Sequence, residues 1–202
     1  MHTIINIGRS FGSRGGYVGH AIGEKLGIPF YDNDLICQAA EESGYSRSLF
    51  AKAEEKNSFF SMSSFFPSSR IGFLDGGYVN ENMLFKIQSE VIRSIAEKGD
   101  AIIIGRCADY ILRDLKCLNV FISAPDEWRI ARLMESEGLD ADEAEKLMRR
   151  KDRTRQTYYN YYTFGQWGHA SNYHLCVDSS VLGVEGTADF IIDFGRKAGL
   201  VK

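Results

Sequence analysis

The sequence predicts an α/β fold in which helices cover both faces of a five-stranded parallel sheet. Short β-branched or aromatic runs alternate with amphipathic helical patterns along the chain. The chain has 202 residues, of which 44% are hydrophobic, and this is enough to bury the core of one domain. Strands that are separated by helices of this length form a parallel sheet, because each connection crosses one face of the sheet. We therefore expect residues 1–202 to form a single domain.

Each predicted strand is a short apolar run bounded by Gly, Asp or Ser. These strands are 3–7, 28–31, 101–104, 118–122 and 175–177.

The helical patterns between the strands carry recognisable ends. The apolar face of 18–26 stops at Gly27, a natural C-cap, and that of 83–96 ends at Gly99. Pro125 occupies a favoured first position of the next helix. Asp140, with a glutamate three residues later, predicts a capping box for the following helix.

Two segments interrupt the pattern and are predicted as long loops. Residues 58–70 (SFFSMSSFFPSSR) lack periodicity, and 158–173 (YYNYYTFGQWGHASNY) lack a long apolar face. Each is either a functional loop, such as a lid or an interface, or irregular surface packing. A homodimer could bury the phenylalanines of the first segment, Phe59, Phe60, Phe65 and Phe66.

Composition excludes several classes of protein. With 24 basic and 27 acidic residues the net charge is −3, which argues against a general binder of nucleic acids or membrane surfaces. No run approaches the ~20 apolar residues of a membrane span, and the N-terminus does not resemble a signal peptide. Four cysteines without metal-ligand spacing favour a reduced, cytoplasmic protein without a zinc site.

A glycine-rich turn, GRSFGSRGG at 8–16, joins the first strand to the first helix. Backbone N–H groups in such a turn can surround an anion, and the helix dipole adds to the attraction. The usual phosphate loop, G-x-x-x-x-G-K-[ST], places its lysine on the phosphates and its hydroxyl on Mg²⁺. Here Arg14 stands in the place of the lysine, and Gly16 is expected in the place of the hydroxyl residue. A phosphate loop and a plain strand–turn–helix connection both fit this pattern.

Charged residues follow the next two predicted strands. Asp32 and Asp34 follow the second strand, and Arg106 follows the third with Asp109 close behind. In an open parallel sheet the carboxyl ends of the strands border one ligand crevice, so these residues should converge with the glycine turn. Arg106 is then expected to contact an anion, unless a carboxylate such as Asp32 or Asp109 gives it a structural role.

Five cations lie within the seven residues RRKDRTR at 149–155, at the predicted end of a helix. Arg149 and Arg153 share one helix face, and Asp152 and Arg155 share a neighbouring one. A solvated helix C-terminus would explain two or three cations. Five of them beside an aromatic segment favour an arginine lid over transferring phosphoryl groups.

The order of these motifs resembles the cytidylate kinase-like family, a branch of the P-loop nucleoside monophosphate kinases. The resemblance covers nearly the whole chain and includes IPFYDND, IIIGRCADYILRD, VFISAPDEWRIARLMESEG, RRKDRTR, YYNYY and YHLCVDSSVLGVEG. It implies a P-loop NTPase fold with an insertion at about 44–80 and a basic lid at about 149–172. It also implies transfer of the γ-phosphoryl group of ATP, with Mg²⁺, to CMP, dCMP or another small acceptor.

The resemblance implies a role for each candidate residue. The residues expected to bind ATP are Gly8, Ser10, Gly12, Ser13, Arg14, Gly15 and Gly16. The expected catalytic residues are Arg14, Arg106, Arg149, Asp152, Arg153 and Arg155. In these roles Arg14 replaces the lysine, Arg106 contacts the acceptor phosphate and Arg155 bridges both phosphoryl groups. The acceptor is expected near Asp32, Asp34, Arg106 and Asp109, and the three aspartates are also the candidate Mg²⁺ ligands.

Three functions compete for these features. A small-molecule phosphotransferase explains Arg106 and the arginine lid, whereas a non-catalytic nucleotide- or anion-binding module explains the loss of the loop lysine and hydroxyl. A single-strand nucleic-acid binder would combine the cations of 149–155 with nearby tyrosines, but the net charge disfavours it. The phosphotransferase is the leading hypothesis, because a lid has little purpose in a passive module.

Overall fold

The structure is a computed structural model that describes residues 2–36 and 81–202. Its five strands form one sheet in the order β2-β3-β1-β4-β5, and every neighbouring pair is parallel. The five-stranded parallel sheet predicted from the sequence is therefore confirmed. The strands are β1 (Ile4–Arg9), β2 (Phe30–Tyr31), β3 (Ala101–Ile104), β4 (Leu118–Ser123) and β5 (Leu175–Asp178).

Helices connect the strands and cover both faces of the sheet. Residues 33–36 are also helical, and a 3₁₀ turn spans Ala170–Asn172. The predicted insertion at 44–80, with its Ser/Phe-rich segment, lies outside the described residues. Within the described part of the chain, no helix is long and apolar enough to cross a membrane. The helices are α1 (Gly15–Leu26), α2 (Glu81–Lys98), α3 (Ala108–Ile111), α4 (Asp126–Glu137), α5 (Ala141–Thr163) and α6 (Ser179–Lys197).

The central strand β1 separates two hydrophobic cores, because successive residues of a strand point to opposite faces. Ile5 and Ile7 are buried in the core that contains α1 and α6. Ile4 faces the other way, into the core that contains α2 and α3. A strand that is buried on both faces has a nearly continuous apolar sequence, and this is why the sequence predicts β1.

Most helix ends lie where the sequence predicts them. Gly27 caps α1 in the left-handed region at φ 64°. The capping box of α5 is complete, since the Glu143 amide donates to Asp140 at 2.9 Å and the Asp140 amide donates back to the Glu143 side chain at 3.2 Å. Pro125 precedes its helix as the N-cap, one position earlier than expected.

Two predictions about helix α5 are wrong. The basic run 149–155 lies in the interior of α5 and not at its end, and the helix continues through the first tyrosines of the segment 158–173 to Thr163. Tyr158, Tyr159 and Tyr162 pack against the core that contains α2 and α3. Tyr162 stacks on Phe85 with ring centroids 4.0 Å apart. These aromatic rings form the buried face of the helix. The face has no aliphatic periodicity, because tyrosines take the place of aliphatic residues.

We expect Gly19→Ala to lower the free energy of unfolding by about 1–2 kcal/mol, because a Cβ there would lie 2.6 Å from Cδ1 of Ile104 and crowd the contact between α1 and the sheet. Gly16→Ala in the same helix is the matched control, since no atom lies within 4 Å of its added Cβ. The control should be stabilised by at most about 1 kcal/mol. Urea denaturation measures both effects, and equal stabilities would show that α1 packs less closely than described.

Candidate functional site

Three arginines converge at the carboxyl edge of the sheet. Arg9 ends β1, and Arg106 lies two residues beyond the neighbouring strand β3. Arg155 of α5 donates from Nη1 to the Arg9 carbonyl oxygen at 3.1 Å. The Arg9 guanidinium lies against Gly105, where a Cβ would collide with it. The parallel pairing of β1 and β3 thus places Arg9 beside Arg106, and α5 contributes the third cation.

The positive charges of these three arginines repel one another in a partly buried environment. Burial, followed by the charges of Arg155 and Arg106, holds the pKa of Arg9 well below its usual value, and Asp32 offsets only part of this. Burial lowers the pKa of Arg155 to about 10, and although Asp152 opposes this, the charges of Arg106 and Arg129 add to it. The Nε of Arg155 is buried, and no hydrogen-bond partner for it is seen among the described residues. An anion placed here would relieve both the repulsion and the missing hydrogen bond.

Arg106 takes an uncommon backbone conformation at the tip of β3. Gly105, Arg106 and Cys107 all have positive φ, at 71°, 54° and 56°. Such a conformation is costly for residues other than glycine, and it concentrates at ligand and active sites. The Arg106 Nη2 donates to the side-chain oxygen of Asn33, and its guanidinium lies 5.8 Å from the ring centroid of Tyr158. The backbone therefore directs Arg106 into the crevice next to β2.

The glycine turn is anchored by hydroxyl groups. Ser13 donates its hydroxyl to the Ser10 carbonyl at 2.8 Å. Ser179, at the start of α6, donates its hydroxyl to the carbonyls of Ser13 at 2.6 Å and Ser123 at 3.1 Å. Ser13 and Ser179 are fully buried. These bonds fix the turn against the ends of β4 and β5.

Several amides of the turn remain available for a ligand. The Gly15 amide donates to the Ser13 hydroxyl at 3.3 Å, but in the described structure the N–H groups of Gly12, Arg14 and Gly16 make no hydrogen bond to the protein. The first N–H groups of a helix have no partner within the helix and carry its positive dipole end. The turn therefore has the donors of an anion-binding cradle.

Arg14 does not join the other arginines. It is the N-cap of α1 with φ 56°, its side chain is exposed, and its guanidinium lies 5.9 Å from the ring centroid of Tyr17. Its role as the substitute for the loop lysine remains a prediction.

Asp152 ties helix α5 to the glycine turn. Its carboxylate accepts from the Phe11 amide at 2.7 Å and from Nη1 of Arg129 at 2.5 Å. Arg129 is only 7% exposed, and it also donates to Asp126 at 2.6 Å and to the Phe11 carbonyl at 3.0 Å. Burial acts to lower the pKa of Arg129, but the hydrogen bonds to Asp152 and Asp126 outweigh it and raise that pKa above the usual value. Asp152 thus holds α5 over the turn.

The remaining cations of the basic run lie on other faces of α5. Arg149 pairs with Glu145 at 2.6 Å, and Arg153 is exposed. Lys151 is buried, and burial followed by the charges of Arg150 and Arg155 lowers its pKa. With 3.6 residues per turn, one helix face cannot present all five cations of a seven-residue run to one ligand. Only Arg155 of the run lies beside Arg9.

The three candidate aspartates do not share one place. Asp32 caps the helical residues 33–36 by accepting the amides of Asp34 at 3.0 Å and Leu35 at 3.1 Å. Burial and the charge of Asp32 raise the pKa of Asp34. Asp109 instead accepts the Tyr159 hydroxyl at 2.7 Å and lines a separate cavity of about 370 Å³. Across residues 2–36 and 81–202, no group of three or more His, Cys, Asp and Glu side chains could hold a metal ion.

Three residues of this site were missed in the sequence. Arg9 could have been found as a cation two residues after the predicted strand 3–7, just as Arg106 lies two residues after the predicted strand 101–104. Arg129 occurs on the buried face of α4, four residues before the buried Leu133, and an isolated cation on such a face needs a partner. Ser179 gave no signal, because its partners are backbone carbonyls of distant segments.

We expect Asp152→Ala to lower the free energy of unfolding by about 3 kcal/mol, because it leaves the buried Arg129 guanidinium without its main partner. Glu135→Ala is the matched control, since it removes the exposed ion pair with Arg132 and should change the stability by less than about 1 kcal/mol. Thermal and urea denaturation test both variants. Equal effects would contradict the anchoring role of Asp152.

Comparisons with known proteins agree with this architecture. Among solved structures, an uncharacterized protein from Eubacterium ventriosum ATCC 27560 is 28% identical, with a TM-score of 0.71 and coverage of 95% of this chain and 96% of that chain. Shikimate kinase from Acinetobacter baumannii is 14% identical, with a TM-score of 0.55 and coverage of 98% and 94%. Shikimate kinase from Bacteroides thetaiotaomicron is 13% identical, with a TM-score of 0.58 and coverage of 97% and 99%. At these identities the two kinases show the fold alone.

A search of curated protein sequences finds no match. The model of the cytidylate kinase-like family matches residues 4–181, a span that includes the glycine turn, the arginine cluster and all five strands. The chain therefore belongs to the cytidylate kinase-like family and has the P-loop kinase fold.

Proposed function

We propose that the protein is an ATP-dependent phosphotransferase that transfers the γ-phosphoryl group to a small acceptor, a nucleoside monophosphate such as CMP or dCMP being the first candidate. One observation carries the proposal: Arg9, Arg106 and Arg155 converge beside a turn with available amides, and burial and mutual repulsion lower the pKa of Arg9 and Arg155. Phosphoryl transfer needs positioning and neutralisation of charge more than a covalent residue. This arrangement has the chemistry to bind two phosphate groups side by side.

The cluster suggests a division of labour. The amides of Gly12, Arg14 and Gly16 would bind the donor phosphates at the N-terminus of α1. Arg106 would bind the acceptor phosphate, because it lies towards β2 and contacts Asn33 and Tyr158. Arg155 lies next to Arg9 and would stabilise the charge that develops between donor and acceptor.

The residues at the end of β2 fit a magnesium ion. Mg²⁺ is commonly held by one or two carboxylates together with substrate phosphates, and Asp32 and Asp34 supply two carboxylates beside the arginine cluster. When bound with ATP, Mg²⁺ supplies further charge neutralisation. Asp32 would keep one carboxylate oxygen on the amides of Asp34 and Leu35 and offer the other to the ion.

A panel of acceptors tests the proposed reaction. Purified protein with ATP and Mg²⁺ is incubated with each nucleoside monophosphate and with small hydroxyl compounds, and ADP release is measured. We expect release that depends on the acceptor and that is fastest with a pyrimidine monophosphate. Tight binding of ATP with no release for any acceptor would instead support the non-catalytic nucleotide-binding module, which the exposed position of Arg14 also favours.

Two variants separate binding from transfer. Arg155→Ala should lower kcat by about 10²–10³-fold with a much smaller change in ATP affinity, because its charge acts mainly in the transition state. Arg106→Ala should abolish transfer and leave ATP affinity nearly unchanged. Arg132→Ala is the control, since it removes an exposed cation of α4 that pairs with Glu135. Initial rates and calorimetry give these values, and a loss of ATP affinity in Arg106→Ala would reverse the assignment of donor and acceptor.

A further inference from the structure

The exposed position of Arg14 leaves open which side chain meets the donor phosphates. In the usual phosphate loop a lysine that directly follows the loop reaches the terminal phosphates. The residue at that place here lies in the left-handed region with its guanidinium near Tyr17, on the outside of the turn. A kinase that binds ATP still needs a cation at these phosphates.

Arg9 is the cation that lies between the turn and the neighbouring strand. Its backbone is fixed by parallel pairing with Ile122 and by the hydrogen bond from Arg155. Its side chain runs towards β3 and places Nη1 against Gly105. The stem of Arg9 therefore lies against the turn at Gly15, and its guanidinium lies at the carboxyl edge of the sheet beside the end of β3.

Two glycines make room for this side chain. A Cβ on Gly15 would lie 2.6 Å from Cβ and 3.1 Å from Cγ of Arg9, and a Cβ on Gly105 would collide with the Arg9 guanidinium. In the usual loop the residue after the lysine carries the hydroxyl group for Mg²⁺. Counted along the motif from Gly8, that place falls at Gly15 and not at Gly16 as expected above. The stem of Arg9 fills the space that a side chain on residue 15 would need.

We propose that Arg9 supplies the positive charge at the donor phosphates that the loop lysine supplies in the usual motif. The inference rests on the proposed function, and it explains both departures of the turn from the usual motif. An arginine on the strand makes a cation on the loop unnecessary. Residue 15 is glycine because a larger side chain there would collide with the side chain of Arg9. Its forked guanidinium suits contact with two phosphate oxygens at once.

The charges around Arg9 fit a ligand better than a structural role. Arg155 and Arg106 repel it, Asp32 is the carboxylate that attracts it, and no ion pair or hydrogen bond to its guanidinium is seen in the described structure. An arginine kept for stability is normally paired with a carboxylate. Removal of Arg9 should therefore relieve repulsion in the free protein and weaken binding of an anionic ligand.

The test measures binding and stability of the full chain with two ligands, ATP and inorganic tripolyphosphate. By calorimetry, Arg9→Ala should weaken binding of both ligands by about 10–150-fold, the range of a charge-assisted hydrogen bond of roughly 1.5–3 kcal/mol. Arg9→Lys should recover part of the loss. Arg14→Ala should change either affinity by less than about 3-fold, and Arg132→Ala serves as the control for loss of a surface cation.

Thermal melting of the same proteins distinguishes a ligand-binding role of Arg9 from a structural role. Without ligand, Arg9→Ala should have an unchanged or higher Tm, and the increase in Tm caused by tripolyphosphate should be lost. A lower Tm with an unchanged affinity would make Arg9 a structural residue and overturn the inference. A loss of binding in Arg14→Ala instead of Arg9→Ala would show that Arg14, and not Arg9, supplies the positive charge at the donor phosphates. If the wild type binds neither ligand, the proposed function fails together with this inference.

Discussion

Asp152 of α5 lies between the Arg129 guanidinium and the Phe11 amide, and it thereby joins a long helix to the turn that follows β1. Arg155 follows Asp152 by less than one helical turn, so the same contact that positions the turn also positions the third cation of the cluster. The ion pair is largely buried, which makes it rigid as well as costly to break. The geometry of the candidate site therefore depends on it.

The arginine cluster is a locally unfavourable arrangement of charges, and the packing of the rest of the molecule keeps it in place. Two apolar cores on either side of β1 stabilise the sheet, while at its carboxyl edge like charges face one another and Arg106 holds a positive φ. Such an arrangement lowers the stability of the free protein and increases the affinity for an anion, because the ligand removes the repulsion. The convergence of three arginines is therefore better understood as a ligand site than as a packing feature.

The proposed role of Arg9 would meet the requirement for charge at the donor phosphates with a residue of strand β1. The amides of the turn and the helix dipole have the usual form for binding phosphate, while the side chains that normally complete the loop are absent. In the proposed arrangement a cation at the end of β1 takes this role from the strand, with its side chain packed against Gly15 and Gly105. The separation of backbone cradle and side-chain charge is consistent with catalysis by positioning and electrostatics, which depends on where charges lie and not on which segment carries them.

By itself, the sequence determined the parallel sheet, most helix ends and the convergence of β-strand tips, because these follow from periodicity, capping residues and the rule for parallel sheets. It also indicated Arg106 and Arg155. Only the tertiary structure decided that Arg155 alone of the basic run faces the cluster, since the rotation of α5 is set by tyrosine packing and by the contact of Asp152 with Arg129. Arg9 and Ser179 depend on partners more than 45 residues away in the chain, and no local pattern records such contacts.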